Sequence, residues 1–316
     1  MTTQPLLSLI VLGFSNFEQT THPCLDSLLP WAHDEEIEII VVDNGSPDDS
    51  AQKTLEWCFE HPSIRCLISE HNRGYAGGMN WGVSHATGKW LLLVNNDTMF
   101  PDNTLDALKR VLRLAPDDVG MLGPVTNAAG NGQRLWNQQA DFKGWNKIGG
   151  WLNQHPSGRL MPCYRCDFFT IAIRHDVWSQ LGGLDMAFGL GYYEDFDFSL
   201  RLQAAGYQQM ITEDVFILHV GSATFKGSKD ARALIKKNKA LLKSKHPHAK
   251  FEHTREANLE IIKAYQLMRR RQEWSSALQA REDLRIKALT EDAPRSWFKR
   301  LRWKIRVRII LNLNLL

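Results

Sequence analysis

The residues in this chain best equipped for chemistry sit where apolar runs stop. Leu91-Leu92-Leu93-Val94 ends abruptly in Asn95-Asn96-Asp97. Roughly a hundred residues later comes Tyr192-Tyr193-Glu194-Asp195-Phe196-Asp197, and past a second apolar pair, Ile217-Leu218, stands His219. A buried strand that ends at a carboxylate delivers it to the C-terminal edge of a sheet, where α/β proteins bind their ligands. A second acidic pair and a distant histidine complete a set suited to a divalent cation and a diphosphate. Such a set points to sugar-nucleotide chemistry.

Two further segments carry groups of the right type. Ile39-Ile40-Val41-Val42 runs into Asp43-Asn44-Gly45-Ser46, where the glycine permits a tight turn and leaves the carboxylate at the sheet edge. Asp43 either accepts hydrogen bonds from a nucleobase or ribose, or spends its oxygens capping the chain that follows. His71-Asn72-Arg73-Gly74-Tyr75-Ala76-Gly77-Gly78-Met79-Asn80-Trp81-Gly82 follows the third apolar run. Its glycine spacing is wrong for a dinucleotide fingerprint, which belongs after a first strand. What it allows is a helix N-terminus, opened by Arg73 and Gly74, close to a ligand. Tight packing of helix on sheet explains Gly77 and Gly78 equally well.

These groups need a scaffold. Leu6–Leu12, Ile37–Val42, Ile64–Ile68 and Trp90–Val94 each have the length of a strand buried on both faces of a parallel sheet. Between them, Ser46-Pro47-Asp48-Asp49 reads as an N-cap with proline at the first helical position. Leu105, Leu108 and Leu112 share one helix face. The alternation predicts an α/β fold with a doubly wound, mostly parallel sheet. Between Val125 and Pro162 it breaks into glycines and tryptophans, and a loop of that length is expected to be functional. Trp136, Trp145 and Trp151 suit either stacking on an acceptor saccharide or packing the loop onto the domain. Phe168–Ile173 resumes as strand, and Phe196, Leu200 and Ala204 mark a helix that stops at Gly206. From Gly227 the chain reads as helix, rich in Lys, Arg, Glu and Leu. The expected division is a domain over 1–225 and a C-terminal helical extension over 226–316.

At 316 residues the chain can bury the core of one large domain plus an appendage. Its net charge of +3 is unevenly spread: Arg295, Lys299, Arg300, Arg302, Lys304, Arg306 and Arg308 fall within 295–308 without an acidic residue. The remainder is slightly acidic, which argues against a nucleic-acid binder. In that stretch the cations mix with Trp297, Phe298, Leu301, Trp303, Ile305, Val307 and Ile309, predicting contact with an anionic membrane surface. The strict alternation over 301–309 is a strand period and not a clean helical stripe, so surface association is expected with the conformation of the tail left open. Of the five cysteines, Cys24, Cys58 and Cys66 read as small buried hydrophobes of a reducing compartment. Cys163 and Cys166 form a C-x-x-C that lacks a second pair for zinc. Leu6–Leu12 has no basic residue before it and reads as a first strand, not a signal peptide. No run approaches the roughly 18 apolar residues of a membrane span. The expectation is a cytoplasmic protein, peripheral on the cytoplasmic face of the inner membrane.

Taken in order, Val-Val-Asp-Asn-Gly-Ser, Asn-x-Gly-x-Ala-Gly-Gly-x-Asn-x-Gly, Leu-Leu-Leu-Val-Asn-Asn-Asp-Thr, Gly182-Gly183-Leu184-Asp185 and Tyr-Tyr-Glu-Asp-Phe-Asp with Leu200-Arg201 form a pattern. It resembles the inverting glycosyltransferases of the GT-A fold, family-two type, and in particular the bacterial rhamnosyltransferase-like branch. The likeness covers residues 6 to 225. It implies a Rossmann-like GT-A domain and a metal-dependent inverting glycosyltransferase. Such an enzyme takes a sugar from a nucleoside diphosphate donor (dTDP-rhamnose or a UDP-sugar) to a lipid-linked saccharide in surface polysaccharide synthesis. It also implies roles: Asp43, Asn95 and Asn96 on the nucleotide, Asp97 and His219 on Mg2+ or Mn2+, and Asp195 as general base. Residue chemistry adds Arg73 and Gly74 to the nucleotide and sets Glu194 with Trp136 and Trp151 toward the acceptor. Asn95 stands where the family's Asp-x-Asp signature has its first carboxylate, so it brings no charge to the metal. A base on the acceptor side fits an oxocarbenium-like transfer, and the dipole of the helix that Asp195 opens is expected to lower its pKa. Asp197 and Arg201 form an expected i,i+4 pair. Two other readings are a binding module that has lost catalysis, for which Asn95 speaks, and a sugar nucleotidyltransferase. The latter would carry a Gly-rich basic loop where this chain has Gly13-Phe14-Ser15-Asn16.

Overall fold

Every apolar run of the first half becomes a strand, and the edge at which those strands end is where the chemistry gathers. The computed structural model of the protein describes residues 4–135, 142–221, 229–251, 254–291, 293–294 and 296–310. In chain order the elements are β1 (Leu7–Gly13), α1 (Thr21–Leu28), β2 (Ile37–Asp43), α2 (Ser50–Glu60), β3 (Arg65–Ile68), α3 (Gly74–Val83), β4 (Trp90–Asn95), β5 (Thr98–Met99), α4 (Thr104–Leu114) and β6 (Val119–Val125). There follow α5 (Phe142–Gln154), β7 (Leu160–Pro162), β8 (Thr170–Arg174), α6 (His175–Leu181), α7 (Glu194–Ala204), β9 (Gln208–Phe216) and β10 (Leu218–His219). The helices α8 (Lys229–Lys245), α9 (Thr254–Arg270), α10 (Ser276–Glu291) and α11 (Trp297–Ile310) close the chain.

The main sheet runs β3-β2-β1-β4-β8-β6-β9-β7. Strands β3, β2, β1 and β4 are mutually parallel, and β8 lies antiparallel between β4 and β6. The continuous apolar character of β1 has its reason here. Leu7, Leu9 and Val11 face one core, with residues of α1, α2 and α4, while Ile10 and Leu12 face another, with α3, α6 and α7. Strand β3 departs from its expected double burial: it is an edge strand, with Arg65 and Ile68 exposed.

The segment over 125–162 is less irregular than its composition suggested, since α5 occupies thirteen of its residues. Helix α2 begins at Ser50, later than the Ser-Pro-Asp-Asp pattern indicated. Ser46 is drawn into the preceding turn instead, donating to Asp43 and accepting from the Ser15 N–H. The glycines of α3 serve packing, because a Cβ on Gly78 would meet Leu12 at 2.6 Å and one on Gly82 would meet Ile10 at 2.4 Å.

The C-terminal helices pack on the sheet. Ile261, Tyr265 and Leu278 join Val125, Ile211 and Phe216 in one core. Arg281 and Arg285 of α10 are fully buried. Arg285 pairs with Glu213 of β9, and Arg281 donates to the carbonyls of Glu213 and Leu152. The boundary expected near residue 226 falls within 222–228, outside the described residues.

Candidate active site

Asp97 stands in the turn from β4 to β5, and the register of the small sheet brings the histidine to it. Strand β10 pairs antiparallel with β5, setting His219 opposite Thr98, and the Val220 N–H donates to the Asp97 carbonyl at 2.9 Å. His219 Nε2 lies 3.4 Å from Asp97 Oδ2. Asn127 brackets the histidine backbone, accepting from its N–H at 2.8 Å and donating to its carbonyl at 3.0 Å. The ring stacks on Phe169 with centroids 5.2 Å apart, and its Nδ1 lies 2.8 Å from the Ala128 carbonyl. A carbonyl only accepts, so Nδ1 carries a proton, and in the neutral ring Nε2 turns a lone pair toward the Asp97 carboxylate.

That donor set fits a hard divalent cation: one carboxylate, one imidazole with its tautomer fixed by a backbone carbonyl, and the amide oxygen of Asn95. Asn95 Oδ1 is buried and takes no hydrogen bond among the described residues. No group of three or more His, Cys, Asp or Glu residues that could hold a metal ion by itself occurs among the described residues. Phosphate oxygens and water would have to complete the shell, which is the usual habit of Mg2+ beside a nucleotide. Asn96 is anchored elsewhere, its amide donating to Thr20 and Thr21 at 2.9 Å each.

Glu194 and Asp195 open α7, presented by a tight turn. Gly189, Gly191, Tyr192 and Tyr193 all have positive φ, with 71° and 77° at the two tyrosines. Burial comes first among the forces on both acids. It pushes Glu194 up to about 8, assisted by Asp195, and Asp195 up to about 6, assisted by Asp167 and opposed by Arg165. The expected lowering of Asp195 by its helix dipole is therefore overturned, because desolvation outweighs it. The Asp197–Arg201 pair forms as expected at 2.7 Å, and Asp197 also binds Lys245 and His246.

One cleft of about 620 Å³ holds these groups together: Asn95, Asn96, Asp97 and His219 line it with Glu194 and Asp195. Asp43 is not among its lining residues. Its carboxylate is 1% exposed and accepts from the Gly45 and Ser46 N–H groups and the Ser46 hydroxyl, the capping arrangement. Arg73 lies over Trp81 and donates to Ser69, also away from the lining. Gly74 holds φ +71°, and a Cβ there would sit 2.2 Å from the Gly189 carbonyl, so it joins two loops beneath the cleft. Trp145 is buried against Phe216, and Trp151 is exposed, stacked on His155 outside the cleft. Trp136 lies outside the described residues. The aromatic wall is made instead by Phe168, Phe169, Tyr192, Tyr193, Phe196 and Phe251.

Arg165 also lines the cleft, paired with Asp167 at 2.5 Å. Sequence reading missed it by attending to strand ends. Strand β8 is antiparallel to β4, so the residues before it, not after it, arrive at the ligand-binding edge.

Comparison with known proteins agrees with this architecture. The profile described as "Glycosyl transferase family 2" matches residues 8–176, more than half the chain. The chain belongs to glycosyl transferase family 2. Among curated members, the glycosyltransferase GlyG of Streptococcus pneumoniae serotype 4 is 29% identical over 110 residues, covering 35% of this chain and 36% of that protein. The match thus spans about a third of that relative's length. Two solved structures share the fold. The mannosyltransferase PcManGT from Pyrobaculum calidifontis, in complex with GDP-Man and Mn2+, superposes with a TM-score of 0.54 at 18% identity, over 98% of this chain and 81% of that one. GalNAc-T7 with UDP, GalNAc and Mn2+ gives 0.57 at 14% identity, over 76% and 48%. At such identities the likeness establishes the GT-A fold of this family member and nothing finer.

Proposed function

We propose that the protein is a metal-dependent inverting glycosyltransferase. It moves a sugar from a nucleoside diphosphate donor, dTDP-rhamnose or a UDP-sugar, to a lipid-linked saccharide in bacterial surface polysaccharide synthesis. The observation that carries this reading is the meeting in one cleft of Asp97 and His219 with Glu194 and Asp195. Two structural neighbours hold Mn2+ with a nucleotide or sugar nucleotide, which favours a divalent cation here too. Asp97 and His219, with Asn95 beside them, would hold Mg2+ or Mn2+. When bound, such an ion offsets the charge that develops on the departing diphosphate.

The chain's own residues do the rest. Asp195 takes the proton from the acceptor hydroxyl as the anomeric carbon becomes oxocarbenium-like, and its elevated pKa places it near the optimum for a base working close to neutrality. Glu194 keeps its proton at pH 7 and donates a hydrogen bond toward the acceptor side. The tyrosines and phenylalanines of the wall offer π faces to the C–H faces of a saccharide and exclude water.

Helix α11 supports a membrane contact. Trp303 and Val307 turn inward against Leu259, Ile262 and Leu289, while Trp297, Phe298, Leu301, Ile305 and Ile309 are exposed. At 100° per residue those five occupy an arc of roughly 120°, bordered by Arg302 and Lys304 and holding Arg308 near one margin. No helix among the described residues is long and apolar enough to cross a membrane. The reading is of a peripheral protein on an anionic leaflet, the cytoplasmic face of the inner membrane.

The donor is found by calorimetry with UDP-glucose, UDP-galactose, GDP-mannose and dTDP-rhamnose, with Mn2+ and then with chelator. At least one should bind only in the presence of the metal, and the transfer product should have inverted anomeric configuration by NMR. Absence of binding across the panel, or a retained anomer, overturns the proposal.

A further inference from the structure

The turn that presents the two acids is held by a residue from outside the matched family segment, which ends at residue 176. Asn238, fully buried on α8, donates its side-chain amide to the carbonyls of Phe188 and Gly191 at 2.7 Å each and of Tyr192 at 3.2 Å. Its Oδ1 is also buried and accepts nothing among the described residues. The amide is thus committed wholly as a donor, aimed at one turn. That turn requires it. Tyr192 and Tyr193 hold φ of 71° and 77°, a region in which a side-chain-bearing residue persists only when its surroundings over-determine it.

The same helix grips the far side of the acidic segment. Lys245, at the end of α8, pairs with Asp185 at 2.5 Å and Asp197 at 2.6 Å, and His246 Nε2 lies 2.9 Å from Asp197 Oδ1. Glu194 and Asp195 therefore sit between two anchors from one element. Of the two, Asn238 acts on the strained backbone that sets the first turn of α7. Lys245 and His246 act on a side chain one residue beyond Phe196.

We infer that Asn238 is a positioning residue for sugar transfer, holding the 188–193 turn so that Glu194 and Asp195 point into the cleft. This rests on the assignment of Asp195 as base. It makes part of the C-terminal extension a working component of the active site.

Two variants test it: Asn238→Ala, and Asn238→Asp, which keeps the shape and loses the donors. Asn238→Gln serves as the conservative partner. Each is assayed in the full-length protein, with whichever sugar nucleotide of the panel binds the wild type. Misplacing a catalytic group by about 1 Å costs on the order of 100-fold. The expected result is a kcat lowered by about that factor in both variants, with donor Kd within about threefold and the thermal transition still cooperative. Asn238→Gln, which can still donate, should recover at least about tenfold over Asn238→Ala. In Asn238→Ala the acid limb of the rate profile should also move to lower pH, because a relaxed turn admits water to Asp195. The isosteric variant provides the reading should the alanine variant not fold. A kcat within threefold of wild type in either folded variant overturns the inference. So does a parallel loss of donor binding, which would mark a purely structural role. A wild type that binds no sugar nucleotide would instead refute the functional assignment on which the inference stands.

Discussion

Burial raises both adjacent carboxyls, Glu194 to about 8 and Asp195 to about 6, and the division of labour proposed for them follows from that difference. As the proposed base, Asp195 would have to be ionised to accept a proton, so kcat/KM should rise with pH through its native pKa. The limb should centre near 6, about two units above an ordinary aspartate. A pH–rate profile checks this, and a limb near 4 would contradict it. Glu194 bears on stability with the opposite sense. Its pKa is raised in the native state, so the contribution of its proton is intact below about 4.5 and lost as pH climbs through about 8. Glu194→Gln should therefore raise the melting temperature at pH 8.5 and leave it nearly unchanged at pH 4.5. The histidine offers a third case, because Asn127 and Ala128 orient a ring they do not extend into the cleft. Asn127→Ala should lower Mn2+ affinity 10- to 100-fold, measured by titration with the metal alone. Asp97 and His219 were legible as cleft residues because each follows an apolar run, and Glu194 and Asp195 because two adjacent acids stand together in the Tyr-Tyr-Glu-Asp-Phe-Asp segment. Arg165 and Asn127 were not, since their arrival at the cleft depends on strand direction and pairing. The sense of the Asp195 shift was also hidden, because burial is a property of the assembled turn and not of helix position.

At the scale of elements, the parallel strands and their helices follow from short branched runs and could be read directly. Helix starts were less legible. The hydroxyl of Ser46 looked free to cap α2, but Asp43 claims it across the preceding turn. The basic tail was ambiguous for a related reason. Five apolar residues at alternate positions from 301 to 309 match a strand, yet helical spacing sorts them into an inward pair, Trp303 and Val307, and an outward trio, Leu301, Ile305 and Ile309. Alternation cannot distinguish one two-sided helix from one one-sided strand. The buried arginines of α10 were equally invisible, since Lys- and Arg-rich helices are usually solvated. Arg285→Ala should destabilise the fold by about 3–5 kcal/mol in denaturant unfolding, because Glu213 would remain charged or be forced to take up a proton in the core. Adding Glu213→Leu should restore much of the loss.

Considered whole, the molecule builds its cleft from two parts of the chain. Ile235 and Phe251 line it alongside Asp97 and Asp195, and Asn238 fastens the acidic turn, so the extension and the α/β region share one site. The outer arc of α11 gives the same extension a second surface. Phe298→Ser combined with Leu301→Gln and Ile305→Gln leaves the inward face intact and should abolish co-sedimentation with phosphatidylglycerol vesicles. Retention equal to wild type would remove the membrane from the account. The central claim is the division of the cleft between a cation site at Asp97 and His219 and a base at Asp195. Its most direct test is calorimetric titration of the bound sugar nucleotide, in Mn2+, into Asp97→Ala and Asp195→Asn. The account predicts that binding fails in the first and persists within about threefold in the second, although neither turns over. Intact binding in Asp97→Ala, or lost binding in Asp195→Asn, would contradict it.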